Sequence, residues 1–464
     1  MALGLKKIFP LCNVIFFISD RRYFLDYIYR NELKEKISEF KLIFLSNIVS
    51  NLESDSYWGE CDWKGMLRND VYNHRDVINC DRRLKYGKSS QFDRIFSKQF
   101  SESEQERILR RIAYSFTSAL IDGKSFGVSF ACNIVTDMFL ALCKIDNYIF
   151  YNIRSARFKN YIFIEKQIND PTPEFIESFK IKYETLTEIN NDLIISEIEG
   201  RYEGVQQEVG RVSAKPLKNI FSSIFSRLFV KDHHCELSFV QFYTVIARLK
   251  LRKLPFFKCN FFGARLPENF FIFPLHAEPE VSLDVYSRFS LSQVELVEKF
   301  SASLPLGVYL VCKEHPWMVG RFNGDVFKRL SRLSNVCFVP SHIDLESLVC
   351  RSMGLVSFCG STGLLALKHR KPLFIFGESY FSVLCDRMVW TDRNPQGLTE
   401  KRLQKFVNNY QFDAKGVIAL LETIKDRGFQ INLYSGLLRR KEALAYSPIQ
   451  EDDQIATLVR AVSK

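Results

Sequence analysis

Residues 355–376 read LVSFCGSTGLLALKHRKPLFIF. Leu355-Val356-Ser357-Phe358 favours a short strand, and Leu373-Phe374-Ile375-Phe376 favours a second. Between them, Gly360-Ser361-Thr362-Gly363 interrupts the apolar run and opens a helix over 362–368. Short, continuously apolar strands are buried on both faces, and a helix between two of them makes the pair parallel.

The same rhythm extends outward from this stretch. Upstream, strands are expected over 270–275, 308–312 and 336–339, with helices over 292–301, 326–333 and 345–351. Helices dominate from Thr399 onward. This is the alternation of a Rossmann-like, doubly wound α/β domain. The N-terminal half is less regular. It offers strands over 14–18, 42–45, 148–153 and 161–164, and helices over 23–37 and 104–121, the latter ending at Asp122-Gly123. Asp170-Pro171-Thr172-Pro173 breaks the chain before another helix.

At 464 residues the chain is too long for one ordinary domain. Hydrophobic residues make up 47% and charged residues 25%, which excludes global disorder. No apolar run reaches the roughly 18–20 residues of a membrane span, and 14–18 reads as a buried strand, not a signal peptide. The twelve cysteines include no C-x-x-C pair, and Cys312, Cys337 and Cys359 lie in or beside apolar strands. That fits reduced thiols in a cytoplasmic protein.

The net charge is +11, and it is uneven. Residues 213–265 hold ten basic and only two acidic residues. Within them, Leu217, Ile220, Phe221, Ile224, Phe225, Leu228 and Phe229 fall on one helical face, opposite Lys215, Lys218, Arg227 and Lys231. Such a helix either packs on its own domain or lies on an anionic membrane surface. No nucleic-acid motif accompanies the charge.

In doubly wound sheets ligands bind beyond the carboxyl ends of the strands. Four strand ends here are followed by polar residues. After 270–275 come His276, Glu278 and Glu280; after 308–312 come Lys313, His315, Pro316 and Arg321; after 355–358 come Gly360, Ser361, Thr362 and Gly363; after 373–376 comes a segment ending at Tyr380. The small-residue turn suits a phosphate, because glycine admits close approach and hydroxyls and free N–H groups donate; it also suits a plain helix cap. His315 is suited to donate to the same phosphate or to satisfy a loop carbonyl. Glu278 and Glu280 have the spacing of paired carboxylates in glycosyl chemistry, or of a solvated acidic loop. His233-His234-Cys235 lacks a second ligand cluster, so no metal site is expected. Asp344 and Glu346 read as helix-start acids, and a phosphate-binding P-loop is absent because position 118 is Ser118.

Four stretches carry a resemblance: FIFPLHAEPEVSL (271–283), LVCKEHPWMVGRF (310–322), LSNVCFVPS (333–341) and VSFCGSTGLLALKHRKPLFIFGESYF (356–381). Together they resemble the capsular polysaccharide biosynthesis family, which includes Kdo transferases, and more loosely bacterial sialyltransferases of the GT-B fold. The resemblance spans roughly 268–382. It implies two Rossmann-like domains facing across a cleft: an acceptor-side domain over 1–265, a nucleotide-sugar domain over 266–425, and C-terminal helices over 426–464 crossing back to the first. It implies a cytoplasmic, metal-independent glycosyltransferase, with a CMP-activated acidic sugar such as Kdo as donor, a glycan or glycolipid as acceptor and no cofactor; the basic window over 213–265 is what suggests peripheral docking at the inner face of the plasma membrane. By this likeness His315 and Pro316 match a His-Pro phosphate motif, with Lys313, Arg321 and Tyr380 nearby. Ser361 and Thr362, between Gly360 and Gly363, match a Ser/Thr phosphate motif. His276, Glu278 and Glu280 align with a catalytic acidic segment. Relatives usually carry a glutamate where this chain has Leu365. That departure leaves a non-catalytic glycan-binding protein of the same fold as an alternative. A nucleotide-sugar epimerase-like enzyme is another.

Overall fold

The structure, a computed structural model of the chain, describes residues 15–18, 41–44, 48, 62, 65, 101–118, 125–129, 148–158, 161–166, 170–187, 198, 266–276, 283, 286–287, 292–315, 318, 329–385, 388–392 and 397–430. In the N-terminal part, β1 (Ile15–Ile18) pairs in parallel with β2 (Lys41–Phe44). Helix α1 (Glu102–Thr117) follows, then β3 (Ser125–Ser129), β4 (Tyr148–Ser155), β5 (Tyr161–Glu165) and α2 (Pro173–Thr185). β3 runs parallel to β4, and β4 turns back into β5 as an antiparallel hairpin. The expected amphipathic helix over 213–232, with the whole basic window to 265, lies outside the described residues, as do His233, His234 and Cys235.

The C-terminal part contains β6 (Phe270–Pro274), α3 (Gln293–Ala302), β7 (Tyr309–Lys313), β8 (Val336–Val339), α4 (Leu345–Arg351), β9 (Gly354–Ser357), α5 (Gly363–Lys368), β10 (Leu373–Ile375), β11 (Val389–Thr391), α6 (Glu400–Asn408), α7 (Ala414–Arg427) and β12 (Phe429–Gln430). Six of these strands form one all-parallel sheet in the order β11-β10-β9-β6-β7-β8. Counted from β6 as the first strand, that is the 3-2-1-4-5-6 order of a dinucleotide-type fold. The chain leaves β6 toward one edge, returns across it after β8, and fills the other edge from β9. The switch point lies between β6 and β9.

Period-two alternation explains why this sheet is covered twice. Phe271, Phe273, Leu310, Cys312, Val356, Phe358 and Phe374 face one layer with Leu296, Val297 and Phe300 of α3 and Leu403 of α6. Phe270, Ile272, Val311, Leu355, Leu373 and Ile375 face the other, with α4, α5 and α7. Phe271, Phe300 and Phe374 meet edge to face at 5.4–5.5 Å. Truncating such a ring to alanine costs about 3–5 kcal/mol.

Contacts join the two parts directly. β12 pairs antiparallel with β5, adding the returning chain to the N-terminal sheet. Phe158, Phe163, Phe175 and Phe179 share a buried cluster with α5 and α7. Lys182 of α2 bonds Asp426 of α7 at 2.5 Å. Residues 431–464, expected to be helical, lie outside the described residues.

Two local expectations change. α1 begins at a Ser101–Glu104 capping box and ends at Thr117, short of Asp122-Gly123, because the Ser118 N–H already closes the last turn onto the Tyr114 carbonyl. Side-chain caps also start α2 (Thr172), α3 (Ser292), α4 (Asp344), α6 (Thr399) and α7 (Asp413). Among the described helices only α5 lacks one: Thr362 sits in the right-handed helical region and its hydroxyl makes no cap bond. The cap expected at this turn is therefore absent, and the Thr362 hydroxyl is left for another use.

Candidate functional site

The carboxyl ends of β6 and β9 lie side by side at the switch point, and three polar side chains meet there. His276 follows β6. Its ring is held edge-on to Phe358 at 5.8 Å between centroids. Its Nε2 lies 3.3 Å from Ser357 Oγ, and the same oxygen accepts the Gly360 N–H at 3.3 Å. The His276 backbone is locked as well: its N–H donates to Gln293 Oε1 at 2.7 Å, and Gln293 Nε2 donates to its carbonyl at 3.2 Å. Gln293 is the first residue of α3, so helix packing fixes where His276 stands.

Gly360 is required by space. A Cβ there would stand 3.1 Å from His276 Cε1 and 3.2 Å from both Ser357 Oγ and Thr362 Oγ1. Imidazole and two hydroxyls thus crowd one backbone niche. Thr362 Oγ1 is enclosed and has no hydrogen-bond partner among the described residues. A buried hydroxyl left unpaired is costly, so a donor or acceptor from outside the chain fits there. Gly363 has a separate reason: a Cβ would run into the Phe381 ring at 2.5 Å, so it serves packing. Ser361 is partly buried beside this turn.

The other expected residues are placed as follows. β6 stands between β7 and β9, so the strand that leads into the His315 loop is separated by one strand from the strand that leads into the Gly360 turn. Lys313 is 7% exposed and its ammonium donates to the Ser341 carbonyl at 2.7 Å, toward β8 and away from the turn. Burial holds its pKa below the usual lysine value, although Asp344 and Glu314 oppose the shift. Tyr380, 1% exposed, stacks among Phe163, Phe175 and Phe381 and joins the two parts of the chain. Glu278, Glu280, Pro316 and Arg321 lie outside the described residues.

Leu365 is fully buried in the layer formed with α7, so the position at which the sequence resemblance led one to expect an acid belongs to the apolar core here. Asp344 caps α4 through the Ser347 N–H at 2.7 Å, as its position at a helix start implied. Glu346 ties α4 to the far end of α5 through Lys368 and His369. The buried thiols are weakly acidic: burial pushes Cys337 up to about 11. Sequence reading missed Gln293 and Ser357. Their roles depend on pairings across 17 and 81 residues, and no local pattern announces them.

The strand order defines a Rossmann-type domain with a polar niche at its switch point. Residues 264–406 of this domain match the family described as "Capsule polysaccharide biosynthesis protein". The match covers the segment on which the sequence resemblance rests. No curated protein sequence matches the chain. Among solved structures, it is similar to the β-Kdo 2,7 transferase KpsC of Thermosulfurimonas dismutans, with 11% identity over 70% of this chain and 82% of that one and a TM-score of 0.33. It is also similar to the glycosyltransferase SnogD from Streptomyces nogalater, with 15% identity over 36% of this chain and 41% of that one and a TM-score of 0.22. For MnaA of S. aureus, solved with UDP, the identity is 11% over 37% and 45% of the respective chains and the TM-score is 0.21. The chain thus spans less than half the length of the latter two. No described helix is long and apolar enough to cross a membrane.

Proposed function

We propose that the chain is a glycosyltransferase of surface polysaccharide synthesis, with a nucleotide-activated sugar as donor. The family match over 264–406 supports the class of pathway. One observation carries the site: the enclosed, unpartnered Thr362 hydroxyl in a niche shared with His276 and Ser357. In this reading the donor phosphate sits on the Gly360 turn. The Thr362 hydroxyl donates to it, and Ser357 and Gln293 keep His276 in register. His315 meets the far end of the phosphate or nucleotide. Charge grows on that phosphate as the glycosidic bond breaks, and preorganised donors stabilise it without solvent reorganisation.

Glu280 and Glu278 remain the proposed general base or nucleophile, and a CMP-linked acidic sugar such as Kdo the proposed donor. Hydrogen-bond donors alone stabilise the leaving group in this scheme, so turnover should be unchanged by EDTA. The basic window over 213–265 is proposed to dock on anionic lipid carrying the acceptor, and reversing Lys215, Lys218, Arg227 and Lys231 should abolish liposome cosedimentation. A thermal-shift screen of CMP- and UDP-sugars tests the donor reading, since a ligand bound only by the native state raises its melting temperature. Buried Leu365 favours one second reading, a non-catalytic glycan-binding protein of the same fold. Binding without transfer to any glycan would select it.

A further inference from the structure

The β4–β5 hairpin brings a charged group, Arg157, to the carboxyl ends of the C-terminal strands. At its turn, Arg157 has a φ of 55°, in the left-handed region that a residue with a Cβ rarely occupies. Its N–H donates to Ser155 Oγ at 3.0 Å, and the Ala156 N–H to the Tyr161 carbonyl at 2.9 Å, which holds the turn in this form. Strained backbone of this kind persists where surrounding structure fixes it, and it gathers at ligand sites. Its neighbour Phe158 is fully buried, so the hairpin tip is anchored rather than free.

The side chain leaves the N-terminal sheet for the C-terminal one. Its guanidinium carbon stands 5.2 Å from the Tyr286 ring centroid. Tyr286 lies against the ends of β9 and β10: its carbonyl accepts the Glu378 N–H at 2.7 Å and would stand 3.0 Å from a Cβ on Gly377. Burial lowers the Arg157 pKa, but Cys359, Tyr286, Asp170 and Tyr380 are near enough to outweigh it, so the group stays cationic. Cys359 is the residue immediately before Gly360.

Among the described residues, no carboxylate is within ion-pair distance of Arg157. The neighbouring Arg154 takes both nearby carboxylates, Glu165 at 2.9 Å and Asp170 at 3.1 Å, and Thr172 also donates to Glu165. Arg157 makes no ion pair among the described residues, and its Nη1 is enclosed without a hydrogen-bond partner. An enclosed guanidinium with an unused donor, packed on Tyr286 at the carboxyl ends of the C-terminal strands, has the chemistry of an oxyanion receptor.

We propose that Arg157, supplied by the N-terminal sheet, binds an oxyanion of the ligand seated on the Gly360 turn. The oxyanion is a donor phosphate oxygen or the carboxylate of an acidic sugar. The inference rests on the nucleotide-sugar reading above and adds to it a residue from the opposite part of the chain. It makes the site depend on docking of the β4–β5 hairpin against the C-terminal sheet.

Calorimetry on the full chain tests it, with CMP, CMP-sialic acid and UDP-glucose as probes and wild type, Arg157→Gln, Arg157→Lys and Thr362→Val as proteins. Arg157→Gln should weaken the best probe by about tenfold or more, as expected for a lost charge-assisted pair. Arg157→Lys keeps the charge, loses the planar fork and should also bind more weakly than wild type. Equal losses for all three probes assign the phosphate. A loss confined to CMP-sialic acid assigns the carboxylate. Wild-type affinity in either Arg157 variant, for a probe that Thr362→Val weakens, overturns the proposal and leaves the donor site standing. Wild type that binds none of the probes overturns the donor site and the proposal together.

Discussion

Ser357 Oγ lies 3.3 Å from His276 Nε2, and this contact ties the end of β9 to the end of β6 across the switch point of the sheet. The same hydroxyl oxygen accepts the Gly360 N–H. One fully buried side chain therefore sets both the imidazole and the glycine turn. Ser357→Ala removes a shared buried partner and should lower stability by about 1–3 kcal/mol. It should also weaken nucleotide-sugar binding, since the turn loses its register. Urea denaturation and calorimetry on the same preparation check both effects. A variant as stable as wild type would show that the contact contributes nothing.

Leu365 belongs to the core and not to the ligand niche. Leu365→Glu should destabilise the fold by about 3 kcal/mol or more, because a carboxylate would be buried without a partner. It should not improve donor affinity. A stable Leu365→Glu protein with tighter nucleotide-sugar binding would place the side chain in the site.

Glu346 makes stability depend on pH. Burial pushes its carboxyl up, but hydrogen bonds from Lys368 and His369 outweigh that and hold its pKa below the usual 4.5. A carboxyl with a lowered folded-state pKa contributes stability that is present above pH 4.5 and lost as pH falls through the folded value. The difference between wild type and Glu346→Gln should therefore be present at pH 7 and shrink below pH 4.5. Its size should be about 1 kcal/mol or less, because the group is partly exposed. Denaturant midpoints from pH 3 to pH 7 read it directly, and a difference that grows in acid would reverse the sign.

The C-terminal sheet was legible because its strands are continuous apolar runs and its turns carry glycine. Phe270 to Phe273 and Leu373 to Ile375 leave no alternative to burial on two faces. The small residues of the Gly360 turn marked it in the sequence as either a phosphate turn or a helix cap, but the state of Thr362 was not legible: the residue type suits a cap, and only the backbone conformation shows that its side chain makes none. β3 and β11 were missed. Ser125–Ser129 mixes small and polar residues around Gly127, and Val389–Thr391 is three residues long, so neither has a period to read. Tyr380 looked like a rim residue because it follows a strand closely. The structure puts its ring between Phe163 and Phe175, residues some two hundred positions away, and no local pattern encodes that packing. Arg157 was invisible for the same reason.

The most direct test of the donor site is a calorimetric titration of wild type and Thr362→Val with nucleotide sugars. Valine keeps the shape of threonine and removes only the enclosed, unpartnered hydroxyl. Wild type should bind a nucleotide sugar, Thr362→Val should bind it about tenfold more weakly, and the variant should be at least as stable as wild type. Equal affinity in the two proteins, or no binding by wild type, would contradict the proposed donor site.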